Sequence, residues 1–486
     1  MASPEPAAEV ESIKAAVSKY FSIYDVKVSY EALSFYISPD LKMLEKNFNK
    51  LRSEFKEKRL IPVLKYQGGE YTINVVKRPE QRTRGLWVNG TLLVITLITT
   101  IFAGAVLWAS YDGNNDLMRL DNFLLGGLFF AVPLMAILGT HEVCHYLAAK
   151  RHGVAASLPF FIPSIPPLGT FGAFISMRDP IPDRRSLVDI GIAGPLGGLV
   201  VTIPVTLIGL WLTSLGDPSS GIVGDEGAIA IMIQPLYALL ALFIPLAENV
   251  PLHPTAFAAW VGFLVTAINL LPAGQLDGGH VARGLLGDKS KYLSYATVVM
   301  LLVLGLFYTG WLIFALLIVF LGLKHPAPLN DVSKLDGKRK ALGALTLAIL
   351  LITFSPIPLM EITPDHSFTI DVPGGNETTI IAGSSTYFIM YINNTGNTNL
   401  NITMDVMQVP NDWSASLYLQ GHSGDNSTDL LEIVIPYDNG TVVVLKVTIP
   451  MDEDNISREL LVETVSLTAQ GATYLTDEQT FIIMVE

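Results

Sequence analysis

Long apolar runs fill the middle of the chain, and polar, alternating segments flank them. The first run, Thr91–Ser110, has about the 20 residues needed to cross roughly 30 Å of hydrocarbon. Further runs are Phe123–Ala149, Leu187–Ser214, Thr255–Gln275, Leu293–Phe307, Trp311–Leu323 and Leu342–Met360. Ala228–Ala247 is also apolar but contains Pro235 and Pro245, so it is read as a segment that either spans or lies re-entrant at one face. Before the first run, Glu9–Tyr20 reads as a helix and Asp25–Ile37 as strand. Pro39–Lys58 places Leu41, Leu44, Phe48, Leu51 and Phe55 at helical spacing. Leu60–Tyr66 and Tyr71–Val76 flank Gln67-Gly68-Gly69-Glu70, a hairpin signal. After the last run, short β-type stretches such as Ser367–Val372, Thr386–Ile392, Leu430–Ile435, Thr441–Ile449 and Phe481–Val485 alternate with Gly, Asn and Asp turns, the pattern of an immunoglobulin-like sandwich.

These patterns predict three parts: a small α/β domain over 1–85, a polytopic helical membrane domain over 86–363, and an all-β domain over 364–486. Composition supports the membrane reading. Half of the 486 residues are hydrophobic and 15% are charged, against about 25% in soluble chains. The net charge of −13 belongs to one end. From Glu361 onward, 18 acidic residues face only Lys446 and Arg458, so the tail carries −16 and the remainder +3. No strongly basic domain remains, which argues against nucleic-acid binding. The single Cys144 excludes an intramolecular disulfide.

Lys and Arg near the span ends set the orientation. Lys77, Arg78, Arg82 and Arg84 precede the first span. Lys150 and Arg151 follow the second, Arg184 and Arg185 precede the third, and Lys324, Lys334, Lys338, Arg339 and Lys340 precede the last. Tyr111–Asp121 and Gly216–Gly227 are acidic. The N-terminus is therefore expected in the cytoplasm and the tail outside. Sequons at Asn376, Asn393, Asn401, Asn426, Asn439 and Asn455 agree with an external tail. An outside tail needs an odd number of crossings. Seven result if Leu293–Leu323 is a hairpin turning at Tyr308-Thr309-Gly310 and Ala228–Ala247 does not cross.

The candidate chemistry starts at the end of the second span, in His141-Glu142-Val143-Cys144-His145. On a helix, i and i+4 share a face, so two imidazoles can hold one Zn²⁺ with a glutamate beside them. Ionisable residues inside a membrane span are functional by default; the plainer alternative is a pair of interfacial histidines. A third ligand is needed, and Asp277 supplies a candidate in the run NLLPAGQLDGGH, residues 269–280. HEVCH in one span and this run in a later one together resemble the site-2 protease family of zinc intramembrane metalloproteases, over about residues 91–325, in the branch whose core reads NLLPxGQLDGGH. The resemblance implies a three-helix catalytic core and one zinc per chain held by His141, His145 and Asp277, with Glu142 as general base and Asn269 near the scissile backbone. It also implies hydrolysis within or near transmembrane segments of other membrane proteins. Many relatives insert a PDZ domain between the two motifs; the 131 residues between His145 and Asp277 leave no room for one beside the membrane segments.

Ser157–Met177 is apolar, Pro-rich and broken by Gly169-Thr170-Phe171-Gly172-Ala173. It is expected to re-enter the membrane edge as a β-hairpin. Gly169, Phe171 and Gly172 would then border an open strand edge to which a substrate segment adds. Ala193-Gly194-Pro195-Leu196-Gly197-Gly198 permits close helix packing. His280 is assigned to a supporting or cytoplasmic role and Cys144 to packing. The competing reading is a non-proteolytic membrane protein, such as a metal transporter or a pseudoprotease adaptor. A transporter would spread polar residues along several spans, and a pseudoenzyme would lack a ligand or the glutamate. The partners implied are transmembrane substrates and the bilayer; oligomeric state is not readable.

Overall fold

A computed structural model describes residues 6–29, 32–78, 85–113, 116–216, 228–246, 250–420, 430–452, 456–468 and 471–486. Arg82, Arg84, Asn426, Asn455 and the acidic loop beyond Gly216 lie outside the described residues. The chain divides into two compact units. One takes the residues up to Pro218 together with Met232–Pro358; the other takes Leu359–Glu486 with the stretch that ends at Ile231.

The first unit opens with an α/β layer: α1 (Pro6–Ser18), β1 (Ser22–Val28), β2 (Leu33–Ser38), α2 (Leu44–Glu57), β3 (Leu60–Gln67) and β4 (Glu70–Lys77). The four strands pair antiparallel in the order β1-β2-β4-β3, leaving β3 at an edge. α2 buries Leu44, Phe48, Leu51 and Phe55 against the sheet, the predicted helical stripe. Leu41 falls before the helix starts and is exposed. The strand reading of Asp25–Ile37 resolves into two strands. Gly68 and Gly69 both take positive φ, as a two-residue hairpin turn between β3 and β4 requires.

The helical part follows. α3 (Leu86–Tyr111), the run Leu120–Arg151 and α6 (Arg184–Thr213) are each long and apolar enough to cross a membrane. Leu120–Arg151 comprises α4 (Leu120–Gly126), a π-helical turn at Gly127–Ala131 and α5 (Val132–Arg151). Pro133 has no N–H to give the Phe129 carbonyl, and the hydroxyl of Thr255 donates to that oxygen instead, at 2.7 Å. Between α5 and α6 lies an antiparallel hairpin of β5 (Phe160–Pro163) and β6 (Thr170–Phe174). α6 starts on an N-cap in which Asp183 accepts from the Ser186 amide at 2.8 Å.

Ala228–Ala247 does not form a spanning helix. β7 (Ala228–Ile231) is followed by the seven-residue α7 (Pro235–Ala241), which has Pro235 in its first turn. α8 (Pro254–Leu270) and α9 (Asp277–Leu286) come next, then α10 (Ser290–Leu304), α11 (Gly310–Leu321) and α12 (Gly337–Thr353). α8 and α11 are apolar but shorter than the three long helices. α8 stops at Leu270 because Pro272 forces Leu271 out of helical geometry, to ψ 128. The predicted Thr255–Gln275 span therefore ends five residues early, and Asp277 is the first residue of a separate helix.

The second unit is β-rich. After β8 (Leu359–Ile362), which pairs with β7, come β9 (Phe368–Asp371), β10 (Glu377–Ile380), β11 (Ser385–Asn394), β12 (Leu400–Met407) and β13 (Ser414–Leu419). β14 (Leu430–Ile435), β15 (Gly440–Thr448), β16 (Ile456–Leu467) and β17 (Thr473–Val485) complete it. They form a five-stranded sheet, β10-β17-β16-β12-β14, and a four-stranded sheet, β13-β15-β11-β9. One core, including Met390, Leu417, Leu445, Val462 and Phe481, is shared by both sheets. β12 alternates buried and less buried residues along most of its length, as a strand with one face on a core must.

Candidate metal centre

α5 carries His141, Glu142 and His145, all buried; their exposures are 4%, 5% and 5%. Four residues make slightly more than one helical turn, so both imidazoles leave the same face. α6 lies against that face, and its glycines make room for the rings. A Cβ on Gly194 would stand 2.1 Å from His145 Nε2, and one on Gly198 would stand 3.3 Å from His141 Nδ1. Gly191, one turn earlier, makes room for α9: a Cβ there would meet the Asp277 carbonyl at 2.9 Å. The small-residue motif Ala193–Gly198 thus admits the rings of His145 and His141, and Gly191 just ahead of it admits α9. Cys144 also faces α6 and packs on Gly197.

Asp277 completes the cluster. Its Oδ2 lies 3.2 Å from His141 Nε2 and 3.0 Å from His145 Nε2, and the two Nε2 atoms are 3.1 Å apart. His145 Nδ1 is 2.8 Å from the Ile190 carbonyl, to which it donates. In the neutral ring that leaves Nε2 with a lone pair, aimed at a carboxylate oxygen that also only accepts. A metal cation between these two acceptors satisfies both. Donors of a tetrahedral zinc site, bonded at about 2.0–2.1 Å, stand roughly 3.3 Å from one another. The spacing observed here and the donor set of two imidazoles and one carboxylate fit that ion.

Glu142 sits beside the cluster, with Oε1 3.9 Å from His141 Nε2. The backbone amide of Ile175, the residue after β6, reaches its carboxylate. The hairpin is thereby tied to the glutamate. It is also tied to α3: Asn89 donates to the carbonyls of Leu158 and Pro159 at 2.9 and 3.0 Å, and Thr99 donates to that of Gly169 at 2.6 Å. Gly169 has φ +72, and a Cβ there would stand 2.4 Å from the Thr99 carbonyl, so this glycine serves a tight contact with α3 rather than an open edge. Gly172, at φ +99, has open space around it, and Phe171 is 78% exposed. Asn269 lies at the last turn of α8, half-buried, eight residues ahead of Asp277. His280 faces His325, a partner that nothing in the spacing of the motifs announced.

Residues 129–308 match the model of peptidase family M50, the site-2 protease family. Over this stretch the chain is similar to that family. "Probable zinc metalloprotease EGY1, chloroplastic" of Arabidopsis thaliana is 33% identical over 252 residues, 50% of this chain and 45% of the relative. "Probable zinc metalloprotease EGY2, chloroplastic" of the same plant is 34% identical over 253 residues, 50% of this chain and 44% of the relative. The chain therefore spans less than half the length of these two relatives. Zinc is the metal their names specify, and the cluster of His141, His145 and Asp277 suits it. A solved structure, the N-terminal domain of PorA, overlaps 25% of the chain at a TM-score of 0.19 and 14% identity, too slight a likeness to assign a fold.

Proposed function

We propose that the chain is a zinc-dependent intramembrane endopeptidase that hydrolyses peptide bonds within or near transmembrane segments of membrane proteins. One observation carries this reading: two histidines of an apolar, membrane-length helix meet an aspartate from a separate helix, with a buried glutamate alongside. In this proposal His141, His145 and Asp277 hold the ion. Bound there, zinc would polarise the scissile carbonyl and make water a stronger nucleophile.

The other work falls to the chain. Glu142 takes one proton from the attacking water as its oxygen bonds to the carbonyl carbon. It returns that proton to the amide nitrogen as the C–N bond breaks, and water's second proton passes from the new carboxylic acid to the amine, leaving a carboxylate and an ammonium group. Ile175 keeps the carboxylate oriented. The free edge of β6, around Phe171 and Gly172, receives the unwound substrate segment as an added strand, and Asn269 steadies its backbone. Unwinding is required because a helical substrate keeps its carbonyls hydrogen-bonded.

The proposal places residues 1–85 in the cytoplasm, a seven-span domain over 86–363 in the cell membrane, and an external immunoglobulin-like domain over 364–486. The N-terminal and tail placements follow from the Lys and Arg distribution and the sequons. The test uses purified full-length protein with a panel of single-span substrates, with and without a zinc chelator. Cleavage that stops on chelation and returns with zinc supports the reading. No cleavage of any substrate by zinc-loaded protein would favour a non-proteolytic role.

A further inference from the structure

The helix that begins with Asp277 is anchored from its far side. α9 follows an irregular stretch, Leu271–Leu276, so continuity with α8 does not orient it. Two of its side chains, His280 and Arg283, reach the same loop, the segment between α11 and α12. His325 Nδ1 donates to the Pro326 carbonyl at 2.7 Å, so its Nε2 accepts, and His280 must donate to it from Nδ1. Arg283 is 2% exposed and donates from Nη2 to Asp331 Oδ2 at 2.7 Å. Arg184 fixes the end of α9 by donating to the carbonyls of Gly284 and Leu285, both at 2.8 Å.

The same loop is built into the N-terminal α/β domain. Leu64 of β3 donates to the Leu329 carbonyl at 2.7 Å and accepts from the Asp331 amide at 3.2 Å. β3 is an edge strand of its sheet, and the loop takes up that edge as a parallel bridge at Asn330. Leu329 drops its side chain into the N-terminal core, at 7% exposure. On its other side the loop's Leu329 and Asn330 amides donate to the carbonyls of Ile181 and Pro182, in the segment before α6, at 2.9 and 2.8 Å. Backbone pairing therefore runs from the N-terminal sheet to a loop whose side chains hold the aspartate helix.

We propose that residues 325–331 are a strap through which the N-terminal domain positions Asp277, with His325 and Asp331 as the positioning residues. The inference rests on the reading of Asp277 as a metal ligand. Partners that orient a ligand without touching the metal are typically worth 10–100-fold in metal affinity. A strap of this kind also makes the sheet edge at β3 a place from which the metal centre can be loosened.

The test is zinc affinity of the full chain, measured by competition with a chelator of known affinity. Asp331→Asn and Leu329→Ala should each bind zinc about tenfold or more weakly. Leu329 is informative because its side chain sits in the N-terminal core. Asp179→Asn serves as control: it weakens the Arg78 and Lys56 ion pairs between the N-terminal domain and the segment before α6 without touching the strap, and zinc affinity should not change. Wild-type affinity in both strap variants overturns the proposal, as does an equal loss in the control. If Asp331→Asn does not fold, His325→Ala, which removes the contact to His280, carries the same comparison. Asp277→Asn is measured alongside. Zinc retained there overturns the ligand reading itself, whereas zinc lost there and unchanged in the strap variants overturns the strap alone.

Discussion

The metal centre and the β-rich tail bury different things. Around α5, α6 and α9 the interior holds His141, Glu142, His145 and Arg283, ionisable groups that are costly to bury without partners. The tail has the larger net charge, −16 against +3 for the rest of the chain, yet its core is apolar. Its buried polar residues include Asn394, Thr398, Thr464 and Ser466, with His366 as a single buried ionisable side chain rather than a cluster. Asn394 serves the backbone there, donating to the carbonyls of Thr398 and Ile435. The net charge and the cluster of buried ionisable groups thus lie in separate units. A large surface charge governs solubility and encounter; a buried charge with a partner marks a site.

The strongest way to test that contrast is at Glu142. Proton transfer by a positioned side chain is worth typically 10²–10⁴ in rate. Glu142→Gln keeps the shape and removes the base. It should fold, keep about one zinc per chain and cleave at least about a hundredfold more slowly, read from single-turnover cleavage beside metal content. Normal cleavage would assign the base to another group. Loss of zinc would make Glu142 a ligand or a support for one.

The next effect is steric. Gly194→Ala places a methyl about where His145 Nε2 now lies, so the ring or the helix must shift. Zinc affinity should fall more than tenfold. Gly90→Ala, in a helix position with open space, should leave it unchanged. Equal affinity in the two variants would mean that the α5–α6 contact relaxes freely and that the glycines are ordinary packing.

Much of the metal centre is legible in the sequence because its constraints are local. Helical periodicity puts His141 and His145 on one face, and Asp277 stands out as a carboxylate in an apolar, glycine-rich run. The α2 stripe and the hairpin at Gly68-Gly69 are local in the same way. What is not legible depends on pairing between distant segments. Ala228–Ile231 is a strand because it pairs with Leu359–Ile362, more than a hundred residues away, and its hydrophobicity alone suits a helix equally well. His325 and Asp331 carry no motif; only the bridge between Leu64 and Asn330 brings their loop to α9. The slot at Gly194 and Gly198 lies between these cases. The small residues are visible, but which rings they admit is not.

The tail should respond to core deletion without affecting the metal. Leu417 is fully buried between the two sheets. Leu417→Ala should destabilise this unit by about 2–5 kcal/mol through lost burial and a residual cavity. Hydrogen exchange of the β11 and β15 amides would read the loss, with zinc affinity measured on the same sample. A fall in zinc affinity that matches the loss of protection would show the two units to be energetically coupled.

The smallest expected effect concerns charge in the tail. Asp365 accepts from the Ser367 hydroxyl, from the Tyr474 hydroxyl at 3.1 Å and from the Ser367 amide at 3.1 Å. These hydrogen bonds, the Ser367 hydroxyl first, hold its carboxyl below the usual carboxylate range. A folded-state value below the unfolded one means that the ionised group stabilises the fold at neutral pH. That contribution is kept above the ordinary carboxylate pKa of about 3.9 and is lost as pH falls through the depressed folded value. The group is only partly buried, so solvent screening limits the effect to about 1 kcal/mol or less. Asp365→Asn keeps an oxygen to accept from the Ser367 amide but removes the charge. Protection of the neighbouring β9 amides should therefore differ slightly between wild type and variant at pH 7, and the difference should close as pH is lowered below about 3.9. A difference that persists unchanged into acid would assign the stabilisation to hydrogen-bond geometry rather than charge. The tail's large negative charge would then contribute nothing specific to its fold at the carboxylate with the most partners.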